Sequence, residues 1–171
     1  MKTILVPIDF SDVTPRVIDT AGELAKAWGA RVHLLHTVPE MVNYASVGEV
    51  AYVPENVPSS DPFTDAASRY PKELKQAHDL AQTLQSQMIE TKVTFLAGSP
   101  VDVILDLLDS EPIDMIVMGS HGHGRLYELI VGTVTESVLR RSNKPVLVVP
   151  SNEKVQHAHR KQWKEPMATP Y

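Results

Sequence analysis

Four of the chain's eight glycines fall between positions 119 and 132, in the string MGSHGHGRLYELIVGT that starts at Met118. Gly119 and Gly122 bracket Ser120-His121, Gly124 follows, and after nine further residues Gly122 is answered by Gly132-Thr133. Glycine lets a backbone pass close to a bulky anion, and a helix N-terminus offers unpaired N–H groups and the positive end of the helix dipole. The Thr133 hydroxyl would add a donor. The chemistry that suits this arrangement is the cradling of phosphates. A plainer reading fits the same spacing: Gly119 ends a strand, Gly122 and Gly124 shape a turn, and Gly132 permits close packing. Spacing alone leaves both open. The string is neither a Walker A loop, which needs G-x-x-x-x-G-K-[ST], nor a dinucleotide fingerprint, since Gly122-x-Gly124 lacks its third glycine.

Other residues that could do chemistry are fewer. Asp9 stands directly after an apolar run, where its carboxylate could accept hydrogen bonds from a ligand or cap the turn that follows. The seven histidines raise the possibility of a metal. His33 and His36, three apart on an expected strand, must point to opposite faces and cannot share one ion. His121 and His123 read as polar residues of the glycine turn, and His157 and His159 as solvated. Mg²⁺ bridging bound phosphates would need few protein ligands. Hydrolytic catalysis finds little support: Ser120 and His121 are adjacent, there is no G-x-S-x-G elbow, and no carboxylate is evidently tied to the histidine. No base or lysine is evidently placed to act on a γ-phosphate, Arg125 being the nearest cation in sequence. With no cysteine in the chain, thiol nucleophiles, disulfides and cysteine-bound zinc are excluded.

The elements that must position these residues are legible as apolar runs alternating with helical patterns. KTILVPI over residues 2–8 reads as a buried strand ended by Pro7 and Asp9. Thr14-Pro15 reads as a helix start, with threonine as cap and proline in the first turn, and Gly29 closes that helix. RVHLLHTV over 31–38 is a second strand ending at Val38. Residues 39–64 hold four prolines and no sustained pattern, so a long loop or flap is expected there. Helical spacing then runs from Asp65 to about Glu90. KVTFLA over 92–97 is a third strand, Ser99-Pro100 opens another helix, and IDMIVM over 113–118 is a fourth strand. A helix runs to about Arg141, and Pro145 begins a last strand, VLVVP. The order β-α-β-α-β-α-β-α-β, with strands apolar on both faces, predicts a parallel sheet covered by helices on both sides. In such sheets ligands bind beyond the C-terminal strand ends, where the strand order reverses. Pro7-Ile8-Asp9, Val38 and Met118-Gly119 lie at those ends.

At 171 residues the chain has the length of one domain. No apolar stretch approaches the 18–20 residues of a membrane helix, and the first residues do not read as a signal peptide, so a cytoplasmic address is expected. The net charge of −5 is uneven: residues 151–171 carry four basic and two acidic residues, leaving twelve basic against nineteen acidic in residues 1–150. That balance argues against nucleic acid as the main partner. The 151–171 segment, without apolar periodicity, is expected to be a mobile basic tail.

The segment DMIVMGSHGHGRLYELIVGTVTESVLRRSNKPVLVV strongly resembles the C-terminal signature of the universal stress protein family, and ILVPIDFSD and LLHTV resemble that family as well. The resemblance covers about residues 1–150. It implies an open, Rossmann-like sheet of order 3-2-1-4-5, of the adenine nucleotide alpha hydrolase-like kind, and a homodimer made by pairing the last strands, here residues 145–149. The ATP-binding members bear G-x-x-G-x9-G-[S/T], which Gly119, Gly122, Gly132 and Thr133 match. By the same resemblance, Asp9 with Pro7 and Ile8, and the backbone near Val38, would hold ribose and adenine. Met118, Gly119, Gly122, His123, Gly124 and Arg125, then Gly132, Thr133, Val134 and Thr135, would wrap the phosphates of ATP, or of ADP or AMP. The function so implied is a nucleotide-binding module of stress response or signalling, acting on an unknown protein partner. A nucleotide-independent dimeric interaction protein and a slow ATPase are the alternatives.

Overall fold

The structure, a computed structural model, describes residues 1–38, 70–120 and 132–150. Its strands are β1 (Thr3–Ile8), β2 (Arg31–Val38), β3 (Thr91–Ala97), β4 (Met115–Gly119) and β5 (Val146–Val149). Its helices are α1 (Thr14–Trp28), α2 (Pro71–Gln85), α3 (Pro100–Ser110) and α4 (Thr133–Arg141). The strands form one parallel sheet in the order β3-β2-β1-β4-β5.

Because side chains alternate across a strand, each face of the sheet builds its own core. Ile4, Val6 and Ile8 of β1 join Val32, Leu34 and Val38 of β2 on one face, covered by α1 through Val17, Ile18 and Ala21 and by α2 through Ala77, Ala81 and Leu84. Leu5, Leu35, Ile116 and Met118 point the other way, onto Ile104, Leu107 and Leu108 of α3 and Val138 of α4. β1 and β4 lie at the centre, so both their faces are covered. That is why both read as unbroken apolar runs rather than as alternating ones.

Two helix boundaries differ from the sequence reading. Thr14 does not cap α1: Val13 occupies that position and Thr14 is the first helical residue, buried, with its N–H bonded to Ser11 O at 2.9 Å. Ser99 does precede α3 with extended dihedrals, and Pro100 opens that helix, but the serine side chain makes no capping bond. Among the described residues, the helix expected over 65–90 runs from Pro71. A proline inside a helix lacks the N–H for an i→i−4 bond and collides with the preceding turn, so an element containing Pro71 starts there. Its far end comes at Gln85 because the chain must turn at Met88, which has φ +62°, before β3 can begin. Residues 39–64, 65–69 and 151–171, for which a loop, the start of that helix and a tail were expected, lie outside the described residues.

Candidate functional site

The two central strands part company before they end. Thr3 donates its N–H to the Asp114 carboxylate at 2.7 Å and accepts Asp114 N–H at 2.9 Å. Alternation along a strand therefore turns the backbone groups of Thr3, Leu5 and Pro7 toward β4, and those of Ile4, Val6 and Ile8 toward β2. Pairing with β2 runs the whole strand, to Ile8↔His36. Pairing with β4 is confined to Ile4↔Met115 and Leu5↔Ile116. The next donor due to face β4 is residue 7, a proline, which has no N–H to give. The ladder stops there, and a crevice opens between the C-terminal ends of β1 and β4. It is also where the strand order reverses, the position at which open α/β sheets hold ligands.

On the β1 side of the crevice stands Asp9, exposed, immediately beyond the strand. Its Oδ1 accepts from Ser11 N–H at 3.1 Å and from Ser11 Oγ at 2.7 Å. Among the described residues Oδ2 takes no hydrogen bond. The next residue, Phe10, has φ +58°, a left-handed conformation that costs a residue with a Cβ about 1–2 kcal/mol. Something must hold it there, and His36 does. The imidazole Nδ1 lies 2.9 Å from Ile8 O. A carbonyl can only accept, so Nδ1 carries the hydrogen and donates it. The same ring packs against Phe10 at a centroid distance of 4.7 Å and against Phe95 at 5.2 Å.

On the β4 side, Gly119 ends the strand and α4 begins beside it. Ser120 O accepts Gly132 N–H at 2.7 Å. Thr135, buried, donates its hydroxyl to Gly119 O at 2.8 Å. These two bonds fix the start of α4 against the end of β4. Gly132 itself is extended, φ −60° and ψ 154°, a conformation open to any residue, so a backbone need does not explain the glycine. The first N–H groups of α4, from Thr133 to Thr135, have no carbonyl within the helix to bond. Thr133 is exposed, while Val134 packs against the core of Leu5 and Met118.

Of the residues read from the sequence, the fold brings Pro7, Ile8 and Asp9 to one wall of the crevice and Gly119, Gly132, Thr133 and Thr135 to the other. Ile8 and Met118 contribute as buried supports. Val38 is turned differently. Its carbonyl accepts Gly98 N–H from the β3 side at 2.9 Å, so what it offers at the strand end is chiefly a buried apolar side chain. Gly122, His123, Gly124 and Arg125 lie outside the described residues. The described groups suit a ligand that carries sugar hydroxyls and phosphate: a carboxylate oxygen that takes no hydrogen bond among the described residues, and helix N–H groups with a threonine hydroxyl.

The sequence reading passed over two clusters. One is His36 with Phe10 and Phe95; its signal was the period-two spacing that puts His36 on the face opposite His33. The other surrounds His33, which is 1% exposed and bonds Thr94 Oγ1 through Nε2 at 2.8 Å. Its Nδ1 lies 3.2 Å from Glu111 Oε2 without hydrogen-bond alignment, and Lys92 holds the other oxygen of Glu111 at 2.8 Å. Burial, aided by the Lys92 charge and against the pull of Glu111, pushes the His33 imidazole down to about 4. The hydrogen bond from Lys92 holds Glu111 below the usual carboxylate range. Among the described residues no group of three or more His, Asp or Glu is placed to hold a metal, and no helix is long and apolar enough to cross a membrane.

The family model for universal stress proteins matches residues 1–150, and the chain belongs to that family. It is 29% identical to universal stress protein MJ0577 of Methanocaldococcus jannaschii, an alignment covering 86% of this chain and 94% of the relative. To YxiE of Bacillus subtilis it is 30% identical, covering 85% and 97%. Among solved structures, that of MJ0577 superposes with a TM-score of 0.62 at 27% identity, over 87% of this chain and 95% of the other. A universal stress protein solved in complex with cAMP gives 0.59 at 24% identity, over 88% and 98%. One from Archaeoglobus fulgidus in complex with dAMP gives 0.59 at 20%, over 86% and 97%.

Proposed function

We propose that this universal stress protein binds ATP, or a related adenine nucleotide, in the crevice between β1 and β4, and serves as a stress-response or signalling module whose state follows nucleotide occupancy. The observation that carries the reading is the end of β1–β4 pairing at Pro7, with an acceptor on one wall of the opening and a helix N-terminus on the other. Asp9 Oδ2 would accept from ribose hydroxyls. The N–H groups at the start of α4 and the Thr133 hydroxyl would receive phosphate, joined by Gly119 and by Gly122, His123, Gly124 and Arg125. Mg²⁺, where present, would ride on the phosphates and supply charge neutralisation. That two proteins of this fold hold cAMP and dAMP supports adenine as the base.

In this reading residues 1–150 are the nucleotide-binding unit, two copies pair along the 145–149 strand in the cytoplasm, and residues 151–171 accompany the domain as a tail. Mass spectrometry of the small molecules released on denaturing the purified protein, with calorimetric titration by ATP, AMP and cAMP in the presence of Mg²⁺, tests it. An adenine nucleotide released or bound with micromolar or better affinity is expected. No release and no heat from any of the three would overturn the reading.

A further inference from the structure

One imidazole grips the residues on both sides of Asp9. His36 donates from Nδ1 to the carbonyl of Ile8, the residue before Asp9, at 2.9 Å. Its ring packs on the side chain of Phe10, the residue after, at 4.7 Å. Behind it, fully buried Phe95 meets the ring edge-on at 5.2 Å and backs the imidazole on the side away from Phe10. Asp9 itself is exposed and belongs to no strand or helix. Its own anchorage is local, the two bonds from Ser11 to Oδ1, and those bonds span Phe10, whose φ is +58°. An unconstrained chain leaves that conformation readily, because a Cβ penalises it. The orientation of the carboxylate is thus set by the side chain that holds Phe10 in place.

We infer that His36 is the positioning residue of the Asp9 carboxylate: it locks the Ile8-Asp9-Phe10 turn so that Oδ1 is occupied by Ser11 and Oδ2 is left for a ligand's sugar hydroxyls. The inference deepens the nucleotide reading and rests on it for the identity of that ligand.

Two substitutions separate its parts. His36→Phe keeps a ring between Phe10 and Phe95 but has no hydrogen for Ile8 O. His36→Asn keeps a donor of similar reach and loses the ring. Amide hydrogen exchange at Ser11, read by NMR on the ligand-free protein, reports the Asp9–Ser11 turn without any nucleotide. Exchange at Ser11 should quicken in His36→Phe, with the core amides of β1 and β2 unchanged, and recover in part in His36→Asn. Affinity for AMP should fall about tenfold in His36→Phe, the cost of a misaimed bond to a charged acceptor, and not fall further when His36→Phe is added to Asp9→Ala. Wild-type Ser11 exchange in a folded His36→Phe would overturn the inference. So would losses from His36→Phe and Asp9→Ala that simply add. Failure of the wild-type protein to bind AMP, with the Ser11 effect intact, would sink the nucleotide reading and leave the clamp standing.

Discussion

The hydroxyl of Thr135 donates to the carbonyl of Gly119 at 2.8 Å, joining the first turn of α4 to the last residue of β4. The bond gives the two threonines at the head of this helix different work. Thr135 is buried and committed to the backbone, whereas Thr133 is exposed and faces outward. Thr135→Val, equal in shape, should therefore lower stability by about 1–3 kcal/mol, since it leaves a part-buried carbonyl without its donor. Thr133→Ala should leave the ligand-free protein within about 0.5 kcal/mol of wild type and weaken ATP by about 0.5–1.5 kcal/mol. Urea melts beside calorimetric titrations distinguish the two; the reverse order of damage would reassign the roles.

Gly132 makes a sharper test of the phosphate assignment. Its dihedrals accept any residue and its N–H bond to Ser120 O survives a change of side chain. Gly132→Val should fold, keep its oligomeric mass, and fail to bind ATP because the isopropyl group stands where phosphate must pass. A folded Gly132→Val with unaltered ATP affinity would show that phosphate does not lie against α4.

Asp9→Ala removes the partner of Ser11 together with the acceptor proposed for ribose. The bonds to Ser11 are exposed, so the ligand-free protein should lose no more than about 1 kcal/mol. Nucleotide affinity should fall by about 1–3 kcal/mol, the usual worth of a bond to a charged group. Intact affinity together with a large drop in melting temperature would mean that Asp9 serves the turn alone.

Stability should fall on acidification below neutrality, and His33 is the first cause. Its imidazole is neutral when folded, with the pKa pushed down to about 4 against an ordinary 6.5. The unfolded chain thus binds more protons between those values, and stability rises with pH across that window. The full shift corresponds to at most about 3 kcal/mol. Glu111, held low by Lys92, adds a loss of the same sign at lower pH, as its carboxylate must be protonated. Urea unfolding at a series of pH values from 7.5 to 4.5 should show the slope, and His33→Leu should flatten it between about pH 6.5 and 5 even though the variant is less stable throughout. A slope unchanged by His33→Leu would exonerate the histidine.

β5 pairs with β4 alone and leaves its outer edge without a strand neighbour among the described residues. Val146, Leu147 and Val148 are each only half-buried. An apolar edge of this kind is a template for a second chain. Light scattering at micromolar concentration should give twice the chain mass, and Val148→Lys should reduce it to that of one chain. A wild-type monomer would refute the proposed dimer.

The element order and every strand were legible because central parallel strands declare themselves as apolar runs; β2 is found at the residues read from the sequence. Asp9 stands out in the sequence because strand ends are where such sheets bind ligands, and the glycines stand out by their spacing. Pro7 reads in the sequence as the end of the strand and as a neighbour of the ligand, not as the residue that stops the β1–β4 ladder. Its place inside β1, facing β4, follows from a register with residues more than a hundred positions away, which no local pattern carries. The same holds for His36 and His33. Period two told that they point apart, but the partners that give each its work, Ile8 and Phe10 for one, Thr94 and Glu111 for the other, are assigned by the order in which strands lie side by side. Thr14 was mistaken for a cap because a Thr-Pro pair describes a helix start to within one residue, and burial of the threonine decided which.

The order β3-β2-β1-β4-β5 places the first strand made beside the fourth. While the chain is being synthesised, β1 can find β2 early, yet its other edge stays bare until Met115–Gly119 has emerged. A chain stalled before that point carries an open, apolar central strand, the kind of edge on which nascent proteins stick to one another. The two walls of the crevice are likewise separated by more than a hundred residues of translation. A molecule that binds between them therefore recognises only finished, correctly threaded copies and adds its binding energy to those alone.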